Sequence, residues 1–127
     1  MPGDRYARGK KKLNESHGEM GEEALKKMEE ISPDFVKYII EFPYGDVYSR
    51  PGLDLKTREI TTVAALIALG NAGPQLKVHM HAALRAGWTE DEIKELVIQM
   101  AVYAGFPAAM NAMTIAGELF KETRNKK

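Results

Sequence analysis

Apolar residues along this chain recur at three- and four-residue spacing or gather in Ala-rich runs, and no stretch alternates apolar with polar as a half-buried strand requires. The pattern predicts an all-α fold, a compact orthogonal bundle of about six to seven helices. A polar helix is expected from Asp4 to about Ser16, a glycine-containing break over Gly18 to Gly21, and a second helix from Glu22 to Ile31. Ser32 then caps a third, with Pro33 at its first position and Phe35, Tyr38, Ile39 and Phe42 turned inward. From Phe42 to Leu53 two prolines, two glycines and three aromatics fall within twelve positions, which reads as an irregular connector or the wall of a site.

Asp54 next caps a helix from Leu55 to Leu69, closed by Gly70. Its Ile60, Val63, Ala64, Leu66, Ile67 and Leu69 spread around most of the circumference and predict burial on several sides. After a short turn from Asn71 to Gly73, Pro74 opens a helix to about Ala86 that carries His79. Thr89 and Glu92 form a capping-box pattern for the next helix, whose Ile93, Leu96, Val97, Met100, Ala101 and Ala104 make one stripe before Gly105 ends it. A last helix starts at Pro107 and is rich in Ala and Met on nearly every face. That is more apolar helical surface than a chain of this size covers alone, so a homo-oligomer is expected.

The length, 127 residues, suits one domain over 1–127, with residues 1–21 as a polar N-terminal helix and linker and disorder only at the ends. Lys plus Arg and Asp plus Glu balance at 18 each, and the one basic run, Lys10-Lys11-Lys12, is short, which argues against a nucleic-acid partner. The absence of Cys removes disulfides, a thiolate nucleophile and thiolate metal sites. No secretory or membrane-spanning segment is visible, since the longest apolar stretch, Ile60 to Leu69, is short and holds Thr61 and Thr62; a cytoplasmic protein without membrane contact is expected by default. Phosphate-loop, serine-elbow and zinc-protease motifs are missing as well.

His79 is the leading candidate for chemistry. His81 stands two positions along the same helix, about 200° around its axis, so a metal shared by the two is not expected. Either could also be an ordinary packed histidine, and His17, in a segment read as polar and mobile, receives no role. Glu59 reads equally as a water-exposed acid early in its helix or as a carboxylate that orients His79 or exchanges a proton with it. Arg50, Arg58 and Arg85 each suit recognition of a carboxylate or a plain surface position. Tyr103 puts a hydroxyl near a helix junction, where packing is the usual use.

The ordered string Tyr48 to Asp54, Thr57-Arg58, Leu66 to Gly70, His79 with Ala82-Ala83, Thr89 with Asp91 to Glu95, and Gln99, Tyr103, Gly105, Pro107 to Ala109, Asn111 and Ala112 resembles the carboxymuconolactone decarboxylase family. The likeness runs from Tyr44 to Phe120 and extends to the alkylhydroperoxidase D-like superfamily, whose redox members carry a C-x-x-C pair four residues before a histidine. Ala72 and Gln75 stand at those cysteine positions, with His79 as the matching histidine, so a dithiol peroxidase mechanism is excluded. The resemblance implies an alkylhydroperoxidase D-like helical subunit that assembles as a homo-oligomer, a trimer or hexamer, and works without a cofactor or metal on a small carboxylated substrate.

For such a lactone, loss of carbon dioxide pushes charge onto the carbonyl oxygen, and the resulting dienolate is protonated on carbon. The roles that follow are His79 as the acid, Glu59 orienting or recharging it, Tyr103 donating to the oxyanion, and Arg50 or Arg58 holding a carboxylate. The competing function is a non-catalytic oligomeric binding or scaffold protein of the same fold. A redox role would need an external thiol.

Overall fold

The computed structural model describes residues 2–126, which hold seven α-helices and one π-helical segment and no strand. The helices are α1 (Pro2–His17), α2 (Glu19–Ile31), α3 (Pro33–Ile39), α4 (Leu55–Leu69), α5 (Gly73–Arg85), α6 (Glu90–Ala104) and α7 (Phe106–Asn125). The π segment, Ile40–Val47, continues directly from α3. The chain divides into two compact units between Leu55 and Lys56, and each has its own core.

In the first unit Leu13, Val36, Ile40 and Tyr44 form the core, with Leu25, Met28, Ile39 and Tyr48 packed around them. Ser32 accepts a hydrogen bond from the Phe35 N–H at 3.2 Å and so starts α3 as its sequence foretells. Pro43 lies inside the π segment, where its ring crowds a carbonyl one turn back. The wider turn relieves that crowding, and the Tyr48 N–H donates at 2.7 Å to the Pro43 carbonyl, five residues earlier. Two glycines let α1 and the π segment approach backbone to backbone. A Cβ on Gly9 would lie 2.0 Å from the Ile40 carbonyl oxygen, and one on Gly45 would lie 2.6 Å from the Arg5 carbonyl oxygen. Outside this contact the Arg5 guanidinium grips Asp46, its Nη2 at 2.6 Å from Oδ2, and holds that carboxyl below its ordinary range.

In the second unit α4 to α7 enclose a core that includes Val63, Ile67, Met80, Ile93, Val97 and Leu119. Ile67, Met80, Ile93 and Leu119 are fully enclosed, each contributing about 1.5–3 kcal/mol of burial free energy. Ala109, Ala112 and Ala116 give α7 a small-residue face turned into that core. The Thr89 hydroxyl accepts from the Glu92 N–H at 3.1 Å while the Glu92 carboxylate accepts from the Thr89 N–H at 2.9 Å, which completes the expected capping box. Gly105, with φ of 92°, ends α6 and starts α7 in a conformation that a side chain resists.

The all-α expectation holds, and four details change. The break after α1 is Gly18 alone, and Gly21 lies buried within α2. The inward face of α3 and the π segment is Val36 and Ile40; Phe35, Tyr38 and Phe42 are exposed and only Ile39 is partly covered. The supposedly irregular stretch from Phe42 begins inside the π helix. The α4 helix is buried along one line, Glu59, Val63 and Ile67, and Leu69 points outward. Each follows from the same cause: apolar type marks a residue as able to be buried, while helix phase decides whether it is.

Candidate active site

Glu59, Val63 and Ile67 are four residues apart on α4, so the two apolar members that anchor this line in the core carry the carboxylate inward with them. On α5 the buried Leu76, Met80 and Ala83 flank His79, which lies three residues after the first and four before the last. These two registers bring the side chains together. His79 Nδ1 stands 3.1 Å from Glu59 Oε2, with the glutamate side chain fully enclosed and the histidine side chain 17% exposed.

A buried carboxylate is costly unless hydrogen-bonded, and the imidazole meets that need at Oε2. An ionised carboxylate can only accept, so in that state the His79 Nδ1–H donates to Glu59 and Nε2 is the second ring nitrogen. A carboxylate behind an imidazole also stabilises the ring's positive charge once Nε2 is protonated. Chemically, the arrangement can hold the imidazole in one orientation, as a proton-transferring group requires.

The other candidates fall elsewhere. His81 is on α5 with its Nδ1 buried and without a hydrogen-bond partner among the described residues. Burial, and then the charges of Arg85 and Lys126, push its pKa below the ordinary histidine value. Arg58 precedes Glu59 on α4 and is partly buried, and Arg85, in the last turn of α5, is exposed. Arg50 belongs to the first unit and is exposed. Tyr103, near the end of α6, is 81% exposed. A cleft of about 320 Å³ in the second unit is lined largely by apolar residues of α4, α5 and α7, including Leu66, Leu76, Ala112 and Ile115, with Asn111 and Thr114 as its polar groups. Leu76 lies one helical turn before His79.

One pair escapes the sequence. His17 is buried rather than mobile, and its Nε2 lies 2.9 Å from the Tyr44 hydroxyl, the rings meeting edge to face at 5.6 Å. The signal was present but not apolar: Gly9, Leu13, Ser16 and His17 repeat at helical spacing on one face of α1, and all four are buried. Gly21 of α2 makes room for the histidine, since a Cβ there would stand 2.5 Å from His17 Cβ.

An all-helical chain with this carboxylate–imidazole pair and no cysteine has clear relatives. Residues 33–118 match the profile of the carboxymuconolactone decarboxylase family. The chain belongs to that family. It is 40% identical over 119 residues to the 4-carboxymuconolactone decarboxylase of Acinetobacter baylyi, covering 93% of this chain and 88% of the relative. It is 36% identical over 99 residues to an uncharacterized 15.0 kDa protein of Paracoccus denitrificans, covering 77% and 74%. Identity to the nitrosuccinic acid decarboxylase of Metarhizium robertsii is 33% over 105 residues, covering 83% and 73%.

Proposed function

We propose that this protein is a cofactor-independent decarboxylase of a small carboxylated substrate whose own electron sink takes the charge left by carbon dioxide, with a 4-carboxymuconolactone-like lactone as the leading case. The observation that carries the reading is the partly buried hydrogen bond between His79 and the enclosed Glu59. Two relatives named as decarboxylases support it, and their names share a chemical logic. In the lactone the C–C bond to the departing carboxylate breaks and its electron pair runs through the double bond to the carbonyl oxygen. In nitrosuccinic acid the same pair would run into the nitro group. Both leave a delocalised carbanion that must be protonated on carbon, and neither needs an external electron sink.

His79 supplies that proton through Nε2, and Glu59 fixes the ring and supports its charge change. A correctly placed acid of this kind is worth about 100- to 10,000-fold in rate. Arg58 or Arg50 holds a substrate carboxylate as a bidentate partner. Tyr103 serves as an oxyanion donor only where water is excluded from it, which its 81% exposure in the single chain does not achieve. Assembly into a homo-oligomer, a trimer or hexamer, completes the reading.

The test is carbon dioxide release from 4-carboxymuconolactone and from nitrosuccinate by the wild type and by His79→Gln. The expected result is turnover of at least one substrate, falling by about 100-fold or more in the variant with the helical spectrum unchanged. Full turnover by the variant overturns the role of His79. No turnover by the wild type on either compound or on related carboxylated lactones leaves the non-catalytic binding protein.

A further inference from the structure

Arg85, which the proposed reaction leaves unused, stands in a cationic cluster on the side of α5 away from His79. On that helix Lys77, His81 and Arg85 follow one another at four-residue spacing and so share a face, while His79 lies about 200° around the axis from His81. The Lys77 ammonium reaches Glu122 of α7, Nζ to Oε1 at 2.6 Å, and this ion pair fixes the register of the two helices. One turn further along each helix stand His81 and Lys126, and the next residue of the α5 line is Arg85. The charges of Arg85 and Lys126 both act on the His81 ring.

No acid answers this cluster among the described residues. From Ile60 to Thr89 the chain holds no Asp or Glu, so α5 and the turns that flank it offer no counter-charge. On the neighbouring helices Glu122 is held by Lys77, Glu90 by Arg124 and Asp91 by Lys94 at 3.6 Å. Arg85 and Lys126 are exposed and form no ion pair among the described residues. Helix capping does not account for Arg85 either. The last α5 carbonyls, of Ala82, Ala83 and Leu84, already accept from the N–H groups of Ala86, Trp88 and Gly87.

We propose that His81, Arg85 and Lys126 form a binding site for a small dianion, a ligand bearing a phosphate group or two carboxylates. Arg85 contributes a planar fork that suits either oxyanion, and Lys126 a mobile point charge. His81 completes the set as a donor. Its Nδ1 is buried without a partner among the described residues, which leaves Nε2 to meet a ligand, and a neutral ring with its proton there donates without first being charged. Two positive charges held near each other with no acid between them repel, and a bound dianion turns that repulsion into attraction. The site is independent of the decarboxylation reading, and neither His79 nor Glu59 takes part in it.

Calorimetry on the full chain with inorganic phosphate and, separately, with succinate tests it, sodium chloride holding the ionic strength constant. Histidine ring resonances are followed in parallel. The expected result is saturable binding of at least one probe, with the His81 resonances shifting along the same curve. The dissociation constant should rise about tenfold or more in Arg85→Gln and in Lys126→Gln. Both residues are exposed, and the helical spectrum checks that each variant keeps its fold. Binding of phosphate alone supports a phosphate-bearing ligand, and binding of succinate alone a dicarboxylate. No saturable binding of either probe overturns the site. Binding that either folded variant retains at wild-type strength overturns it too, and marks an adventitious ion only.

Discussion

Nδ1 of His79 and Oε2 of Glu59 stand 3.1 Å apart on two helices that reach each other only in the folded second unit, the carboxylate enclosed and the imidazole at the edge of solvent. Glu59→Gln preserves the shape and still accepts a hydrogen bond from Nδ1, but it cannot carry the negative charge that balances a protonated ring. In the proposed reaction kcat should fall on the order of 100-fold while KM changes by less than about threefold. Steady-state kinetics on a substrate that the wild type turns over checks this. An unchanged kcat would mean that the pair serves packing alone.

Gly9→Ala sets two effects of opposite sign against each other. Alanine gains up to about 1 kcal/mol of helix propensity in α1. The added methyl would meet a carbonyl oxygen at 2.0 Å, a backbone atom that cannot rotate away, and overpacking costs about 1–3 kcal/mol or more. Steric overlap should win. The urea midpoint of Gly9→Ala should therefore drop, while Gly52→Ala, where no heavy atom lies within 4 Å, should stay at or slightly above the wild-type value.

The Tyr44 hydroxyl belongs to a buried hydrogen bond with His17, and Tyr44→Phe deletes that oxygen and nothing else. A loss of about 1–2 kcal/mol is expected, because the histidine keeps its burial and loses one partner. Chemical denaturation followed by helical signal measures it. A variant as stable as wild type would show that the edge-to-face ring contact, not the hydrogen bond, seats His17.

His81 gives stability a pH dependence whose sign is set by its environment. Burial first, then the charges of Arg85 and Lys126, lower its pKa in the folded state from the ordinary 6.5. The unfolded chain then takes up a proton that the folded chain resists, so the neutral form's contribution is fully present above pH 6.5 and is lost as pH falls from there through the folded value. His81→Gln should flatten this part of the curve. Unfolding midpoints compared from above pH 7 down to about pH 5 test it, and an identical slope in wild type and variant would remove His81 as the source.

Much of the helical plan was legible in order: the Ser32 cap, the Thr89–Glu92 box, the Gly105 break and the bounds of α4 are local matters, decided by residues within one or two turns. Family membership was legible too, because it rests on the order of residue types from Tyr44 onward. Which faces turn inward was not. Phe35, Tyr38 and Phe42 are as apolar as the residues that did become buried, and their exposure depends on what α1 presents to α3 and the π segment.

The sequence by itself determined that the chain is helical, that it lacks the thiols of a peroxidase, and that His79 leads the titratable candidates. Tertiary structure alone decided that Glu59 is buried beside His79 rather than exposed to water, since a carboxylate early in a helix faces water or core according to what packs against it. It alone recovered His17, whose burial depends on a tyrosine twenty-seven residues distant and on two glycines that let backbones approach. Local propensities act through covalent neighbours and can be read along the chain; burial and hydrogen bonding between distant residues arise only when helices meet.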